Sequence, residues 1–284
     1  MAVIDLHTHS TVSDGSDSPA RVMELAAEAG CRAVALTDHD SLAGLAAASA
    51  RAGELGIELV AGCEVSVKPP ATGGMHVLVY FVDDPMSPLG AELDRLRDDR
   101  ARRNRALVIR LADLGFPIAY QDVVAAAGSE AGVGRPHFAR VLVASGAVAS
   151  IQEAFDRLLG SGAPAYVPKA RVEASRVADL ANASGGVAVL AHPLSLGLGP
   201  AALDATIADL ARAGFGGLEA IYSRYTPEER RTLTALARRH GLVATGGSDH
   251  HGTFKPDLTV GTGAGDLRVP DRVLDELRDR QPVA

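Results

Sequence analysis

Short β-branched runs alternate with Ala/Leu-rich segments of helical period along most of this 284-residue chain. Val3–Leu6, Ala33–Leu36, Glu58–Ala61 and Val77–Phe81 read as strands, with helices over Pro19–Ala29 and Leu42–Gly56 between the first three. That rhythm belongs to βα units, whose strands form a parallel sheet or barrel with helices outside. Ser18 reads as an N-cap before Pro19, and Val22, Leu25, Ala26 and Ala29 supply the i, i+3, i+4, i+7 stripe of a half-buried helix. The alternation resumes after about Pro168, with Val187–Leu190, Ala201–Ala213, Gly217–Ile221, Pro227–His240, Leu242–Thr245 and a final helix from Pro270.

Between Pro88 and Pro168 the signals are helical only: Leu89–Leu114, Tyr120–Ala127, Pro136–Ser145 and Ile151–Leu159. The expected organisation is an α/β frame, residues 1–87 and 168–284, with a helical insertion over 88–167 serving as a substrate-binding lid. A composition of 47% hydrophobic and 22% charged residues is that of a globular chain with a core.

Charge and hydropathy then exclude partners. The 28 basic and 35 acidic residues leave a net charge of −7, which weighs against nonspecific binding to duplex DNA, a mode that needs excess Lys and Arg. No apolar run approaches the ~20 residues of a spanning helix, so no membrane partner is expected. Met-Ala-Val-Ile-Asp5-Leu-His7 lacks the basic and apolar regions of a signal peptide. Cys31 and Cys63 stand apart in apolar stretches, neither in a CxxC pair, so no disulfide framework or thiolate zinc site is expected. A cytoplasmic location follows.

The chemistry lies at the strand ends. His7 and His9 follow the first strand at i, i+2 and so share a face. Alone, an HxH pair is weak, more often incidental than a metal site. Asp38-His39-Asp40 follows the second strand, Glu64 the third, His76 opens the fourth, and His192-Pro193 and Ser248-Asp249-His250-His251 follow later ones. Asp14 lies in the turn after the first pair, where an Asx turn with Gly15 is its bland alternative. In parallel α/β folds the carboxyl ends of strands form the ligand-binding face. Nitrogen and oxygen donors without thiolate suit Mn²⁺, Fe²⁺ or Zn²⁺, and more than one ion's worth of ligands implies a cluster of two or three. Clustered ions are standard equipment for hydrolysing phosphate esters. His250 faces away from Asp249 and His251 by strand period, and His240 ends a helix; neither is counted as a ligand.

The set His7-x-His9, Asp14-Gly15, Thr37-Asp38-His39-Asp40, Gly62-x-Glu64, His76, His192-Pro193 and Ser248-Asp249-x-His251 resembles the motifs of the polymerase and histidinol phosphatase (PHP) superfamily. Within it, Gly134-Arg135-Pro136-His137, Ala154-Phe155 and Ala165-Tyr166-Val167-Pro168-Lys169 resemble the branch that hydrolyses nucleoside 3′,5′-bisphosphates and trims short RNA from the 5′ end. The resemblance implies a distorted seven-stranded (β/α) barrel with a trinuclear site. Carried over, it gives one ion to His7, His9, Glu64 and Asp249, a second to Asp14, His39 and His192, and a third to Glu64, His76 and His251. Asp14 stands where the superfamily often has histidine, and this harder oxygen donor favours Mn²⁺ over Zn²⁺ or Fe²⁺.

It also implies a phosphoesterase acting on a small nucleotide and on short single-stranded RNA. Activity is expected to depend on Asp14 and His39, with Arg135 neutralising the developing charge. Arg135 and His137 at a helix start suit a phosphate. Arg100 and Arg103, three apart on one helix face, are the candidates for a second phosphate, against the bland reading of a solvated helix with internal ion pairs. Aromatic content of 4% with no Trp offers few stacking platforms, so one or a few nucleotides are expected to be engaged. Histidinol phosphatase and a noncatalytic metal-binding PHP module are the alternatives.

Overall fold

The computed structural model describes residues 3–68, 74–128, 130, 132–168 and 171–282; Lys169 of the insertion motif lies outside them. Seven strands, β1 (Val3–Asp5), β2 (Cys31–Leu36), β3 (Glu58–Val67), β4 (Met75–Tyr80), β5 (Val187–Leu190), β6 (Gly217–Tyr222) and β7 (Val243–Gly247), pair in chain order. The two edges meet: Leu6 N–H donates to Gly246 O at 3.2 Å and Asp249 N–H to His7 O at 2.8 Å. The result is the nearly closed seven-stranded α/β barrel that the resemblance implies.

The strands are not all parallel. β4 runs antiparallel to both β3 and β5, whereas the other neighbouring pairs are parallel. The reason is length: only residues 68–74 separate β3 from β4, and a parallel crossover needs about a dozen or more. Inside, Ile4, Leu6, Val60, Leu78, Tyr80, Val189 and Val243 form a core sealed by Leu274 and Leu277. The Tyr80 hydroxyl donates to Leu6 O at 2.8 Å, satisfying the one polar atom its ring carries into that core.

Helices α1 (Pro19–Glu28), α2 (Leu45–Leu55), α3 (Pro88–Asp113), α4 (Tyr120–Ala127), α5 (Arg135–Ala144), α6 (Ile151–Ala154), α7 (Ala174–Ala183), α8 (Pro200–Arg212), α9 (Pro227–Arg239) and α10 (Arg272–Arg278) complete the described chain. The Ser18 cap forms as expected, its hydroxyl accepting from Arg21 N–H at 3.2 Å. α7 carries no start signal: its N-cap, Glu173, makes no side-chain capping bond. Within Ile151–Leu159 the helix gives way to a π-helical turn over Phe155–Leu159. No helix among the described residues is long and apolar enough to cross a membrane.

The chain divides into two compact units, Met1–Leu93 with Arg171–Ala284, and Asp94–Ala170. The division falls inside α3 and not at Pro88, because the first turns of α3 belong to the barrel unit: Leu89 and Leu93 are buried and Leu89 N–H donates to Ser184 Oγ at 3.0 Å. The second unit has its own core of Leu107, Leu111, Phe138, Leu142 and Leu159.

Candidate metal centre

Most ligand candidates are delivered just past the end of a strand. His7 and His9 follow β1, His39 follows β2, His192 follows β5, and Asp249 and His251 follow β7. Two arrive differently. β3 continues to Val67, so Glu64 lies inside the strand and not just past it, opposite Leu78. His76 opens β4 and sits opposite Ser66; because β4 is antiparallel, its beginning lies where the parallel strands end.

Glu64 is the hub. Its Oε2 lies 3.4 Å from His7 Nε2, 3.2 Å from His9 Nε2 and 3.2 Å from His39 Nδ1; its Oε1 lies 3.0 Å from His76 Nδ1 and 2.9 Å from His192 Nε2. Five imidazoles thus converge on one carboxylate that is 1% exposed. Around it, three donor groups each fit a common point: His7, His9 and Asp249; His9, Asp14, His39 and His251; and His39, Glu64 and His76. The grouping exchanges two ligands relative to the division implied by the resemblance. His251 Nε2 lies 3.2 Å from Asp14 Oδ1, whereas His192 stands with Glu64 and His76. The cause is neighbourhood: β5, which delivers His192, pairs with β4, which carries His76, while β7 returns to β1 and its Asp14 turn.

The donor chemistry fits divalent ions. His39 Nδ1 and His76 Nδ1 are buried without a hydrogen-bond partner, although each lies close to a Glu64 oxygen. Close but misaligned donors converge on a third body instead of on each other, and an orphaned buried nitrogen is otherwise costly. His7 Nε2 and His9 Nε2 face one another at 3.0 Å. Sulfur takes no part: burial pushes the Cys63 thiol up, away from the thiolate form.

Electrostatics keeps the carboxylates charged. Burial works to raise Glu64, but the imidazoles of His39, His76 and His7 outweigh it and hold the carboxyl well below its usual range. Asp14 behaves alike, burial being outweighed by His39 and His251. The imidazoles divide. Burial, aided by His251 and His39, pushes His9 down to about 3, and burial also lowers His39. For His7, burial is outweighed by Glu219, Glu64 and Asp249, so its pKa is raised well above the ordinary value.

Supporting residues orient the ligands, and sequence reasoning missed most of them. Glu219 in β6 is fully buried; its Oε1 takes His7 Nδ1 at 2.9 Å and its Oε2 accepts from His192 N–H at 2.7 Å. Its only signal is an acid inside an apolar strand run, Gly217-Leu-Glu219-Ala-Ile221. Tyr222 and Lys255 both donate to Asp249 Oδ2, at 2.7 and 2.6 Å, leaving Oδ1 toward His7, His9 and His251. His250 stays out of the cluster as expected, bonding Leu258 O and Asp17 Oδ2, each at 2.9 Å.

The backbone is strained where the ligands emerge: His192 (φ 26°) and Asp249 (φ 55°) are non-glycine residues in the left-handed region, a cost that persists at sites the surroundings over-determine. Gly247 is needed for a different reason, since a Cβ there would lie 2.5 Å from His7 N. Gly247→Ala is therefore expected to displace His7, cost about 1–3 kcal/mol by overpacking, and weaken metal uptake. A thermal melt and metal content after dialysis check this; wild-type values for both would contradict it.

Within the second unit, Arg135 and His137 open α5 as expected, but each has a local task. His137 Nδ1 accepts from Gly134 N–H at 3.0 Å, capping the helix. Arg135 donates to Leu159 O at 3.1 Å and stacks 5.2 Å above the Tyr166 ring. On α3 the bland reading holds for part of the basic strip: Arg95 pairs with Asp99, Arg97 with Asp94, and Arg102 with Asp99. Arg103 donates to Asn104 Oδ1 at 2.8 Å.

The family described as PHP domain matches residues 5–161. A 3′,5′-nucleoside bisphosphate phosphatase of Chromobacterium violaceum is 35% identical over 264 residues, covering 92% of this chain and 91% of that protein. A 5′-3′ exoribonuclease of Haemophilus influenzae is 34% identical over 247 residues, 87% of this chain and 89% of that protein. Among solved structures, one from Bifidobacterium adolescentis, assigned as a metal-dependent phosphoesterase, superposes with a TM-score of 0.81 at 31% identity, covering 100% of this chain and 97% of that one. Family match, similarity over nearly the whole length and convergent strand-end ligands agree: the chain belongs to the PHP domain family.

Proposed function

We propose that this protein is a metal-dependent phosphoesterase that removes the 3′-phosphate of nucleoside 3′,5′-bisphosphates, giving nucleoside 5′-monophosphates, and trims short RNA from the 5′ end. The observation that carries it is Glu64, one buried carboxylate in contact with five imidazoles. His7, His9 and Asp249, then His9, Asp14, His39 and His251, then His39, Glu64, His76 and His192 would hold two or three divalent ions, Mn²⁺ by preference. Ions bound there supply Lewis acidity to a phosphoryl group and to an attacking water. The chain's own residues do the rest: Glu219, Tyr222 and Lys255 aim the ligands, and the carboxylates stay ionised against burial. Arg135, held in place by Tyr166 and Leu159, is assigned to the charge developing on the phosphoryl group, with His137 beside it on α5. Arg100 and Arg103 remain the insertion's candidates for a second phosphate. With a net charge of −7, neither duplex DNA nor a membrane surface is proposed as a partner, and the location proposed is cytoplasmic.

The test is phosphate release by chelator-stripped protein before and after Mn²⁺ is restored. Adenosine 3′,5′-bisphosphate is assayed beside histidinol phosphate and a short 5′-phosphorylated RNA. Stripping is expected to abolish turnover and Mn²⁺ to restore it on the bisphosphate. Turnover of histidinol phosphate alone would overturn the substrate; silence on all three would leave a binding module.

A further inference from the structure

Asp38 is a buried carboxylate outside the three donor groups of the cluster. A buried aspartate needs partners, and those of Asp38 come from the segment just past β1. Its Oδ1 accepts from Ser10 N–H at 2.8 Å and from Ser13 Oγ–H at 2.7 Å, and its Oδ2 accepts from Ser10 Oγ–H at 2.7 Å. Hydrogen bonds to an ionised acceptor are the stronger kind, so the chain after β1 is anchored to the chain after β2.

Ser10 is where the following turn closes. Its carbonyl accepts from Ser13 N–H at 3.1 Å and Gly15 N–H at 2.9 Å, and its hydroxyl oxygen accepts from Val12 N–H at 3.2 Å. A Cβ at Gly15 would lie 2.7 Å from His9 O, so the turn is drawn tight against the end of β1. Asp14 is the residue this turn presents, 3.6 Å from His39 Nε2 and 3.2 Å from His251 Nε2. It stands on the solvent side of its group: its side chain is 41% exposed, whereas those of His9 and His251 are buried. His7 and Asp249 are aimed by side chains from β6, Glu219 and Tyr222. Asp14 depends on the turn that carries it.

We infer that Asp38 is the positioning residue for Asp14. By anchoring Ser10 and Ser13 it holds the turn that presents Asp14 to His39 and His251, and so sets the affinity of the one ion that these residues share with His9. The inference rests on the metal-dependent reading proposed above and assigns Asp38 no contact with an ion or with substrate.

The experiment is a calorimetric titration of Mn²⁺ into chelator-stripped protein, with metal content after dialysis as a second readout. Asp38→Ala is expected to lower the affinity of one ion by about 10–100-fold, the effect of losing an outer partner of a metal ligand, and to leave the remaining ions at wild-type affinity. Asp14→Ala is expected to lose that same ion. Adding Asp38→Ala to it should cost nothing more, because a residue that acts through Asp14 has no effect once Asp14 is gone. Asp38→Asn keeps an oxygen for Ser10 N–H and is expected to recover most of the loss. Ser13→Ala removes one of the three bonds and should weaken the same ion less; it decides the matter if Asp38→Ala does not fold. Unchanged affinity in these variants, a loss spread over all the ions, or a further loss in the Asp14→Ala background would overturn the inference and leave the phosphatase reading intact. Absence of Mn²⁺ binding by the unmodified protein would overturn the metal-dependent reading and the inference with it.

Discussion

Replacing Glu64 with Gln is expected to strip the protein of its metal cluster and of turnover with it. The carboxylate lies within 3.4 Å of five imidazole nitrogens drawn from the ends of β1, β2 and β5 and the start of β4. An amide of the same shape keeps the packing but loses the charge, and turns an NH₂ group toward nitrogens that must act as donors to an ion. Loss of a single outer partner of a metal ligand costs roughly 10–100-fold; loss of the hub is expected to exceed that in both Mn²⁺ affinity and phosphate release. Metal content after dialysis, initial rates and a circular dichroism spectrum decide it together. A folded variant with metal and turnover near wild type would remove Glu64 from the centre.

Glu219→Gln tests the support beneath the cluster. Glu219 accepts at two points, from the His7 ring and from the backbone of His192. A glutamine has a single oxygen, so one of those contacts must be lost. Either His7 loses the partner that turns Nε2 toward the cluster, or the His192 backbone loses a clamp on its left-handed conformation. The expected result is a fold close to wild type and a Mn²⁺ affinity lower by about 10–100-fold, read by calorimetric titration of the stripped protein. Unchanged affinity would show that packing alone orients both histidines.

The candidate ligands were legible because their signals are local. His7 and His9 share a face by strand period, and His39, His192, Asp249 and His251 each follow an apolar run. Glu219 was not legible: an acid within an apolar strand reads the same whether it supports a ligand or caps a neighbouring loop. Nor was the partnership of Tyr222 and Lys255 with Asp249, which joins residues from different segments at the strand ends. The basic strip on α3 shows the converse, since ion pairs at i, i+3 and i+4 are local and could be weighed from spacing alone.

The sequence by itself determined the α/β alternation, the helical insertion, the nitrogen and oxygen character of the site and its place at strand ends, since each rests on periodicity or on the chemistry of neighbouring residues. Only the tertiary structure decided that β4 runs antiparallel and so brings His76 to the ligand face. It also places His251 beside Asp14, and His192 beside Glu64 and His76. Which donors share a point depends on strand pairing and on the closure of β7 onto β1. Those contacts are made between residues far apart in the chain, and no local pattern encodes them.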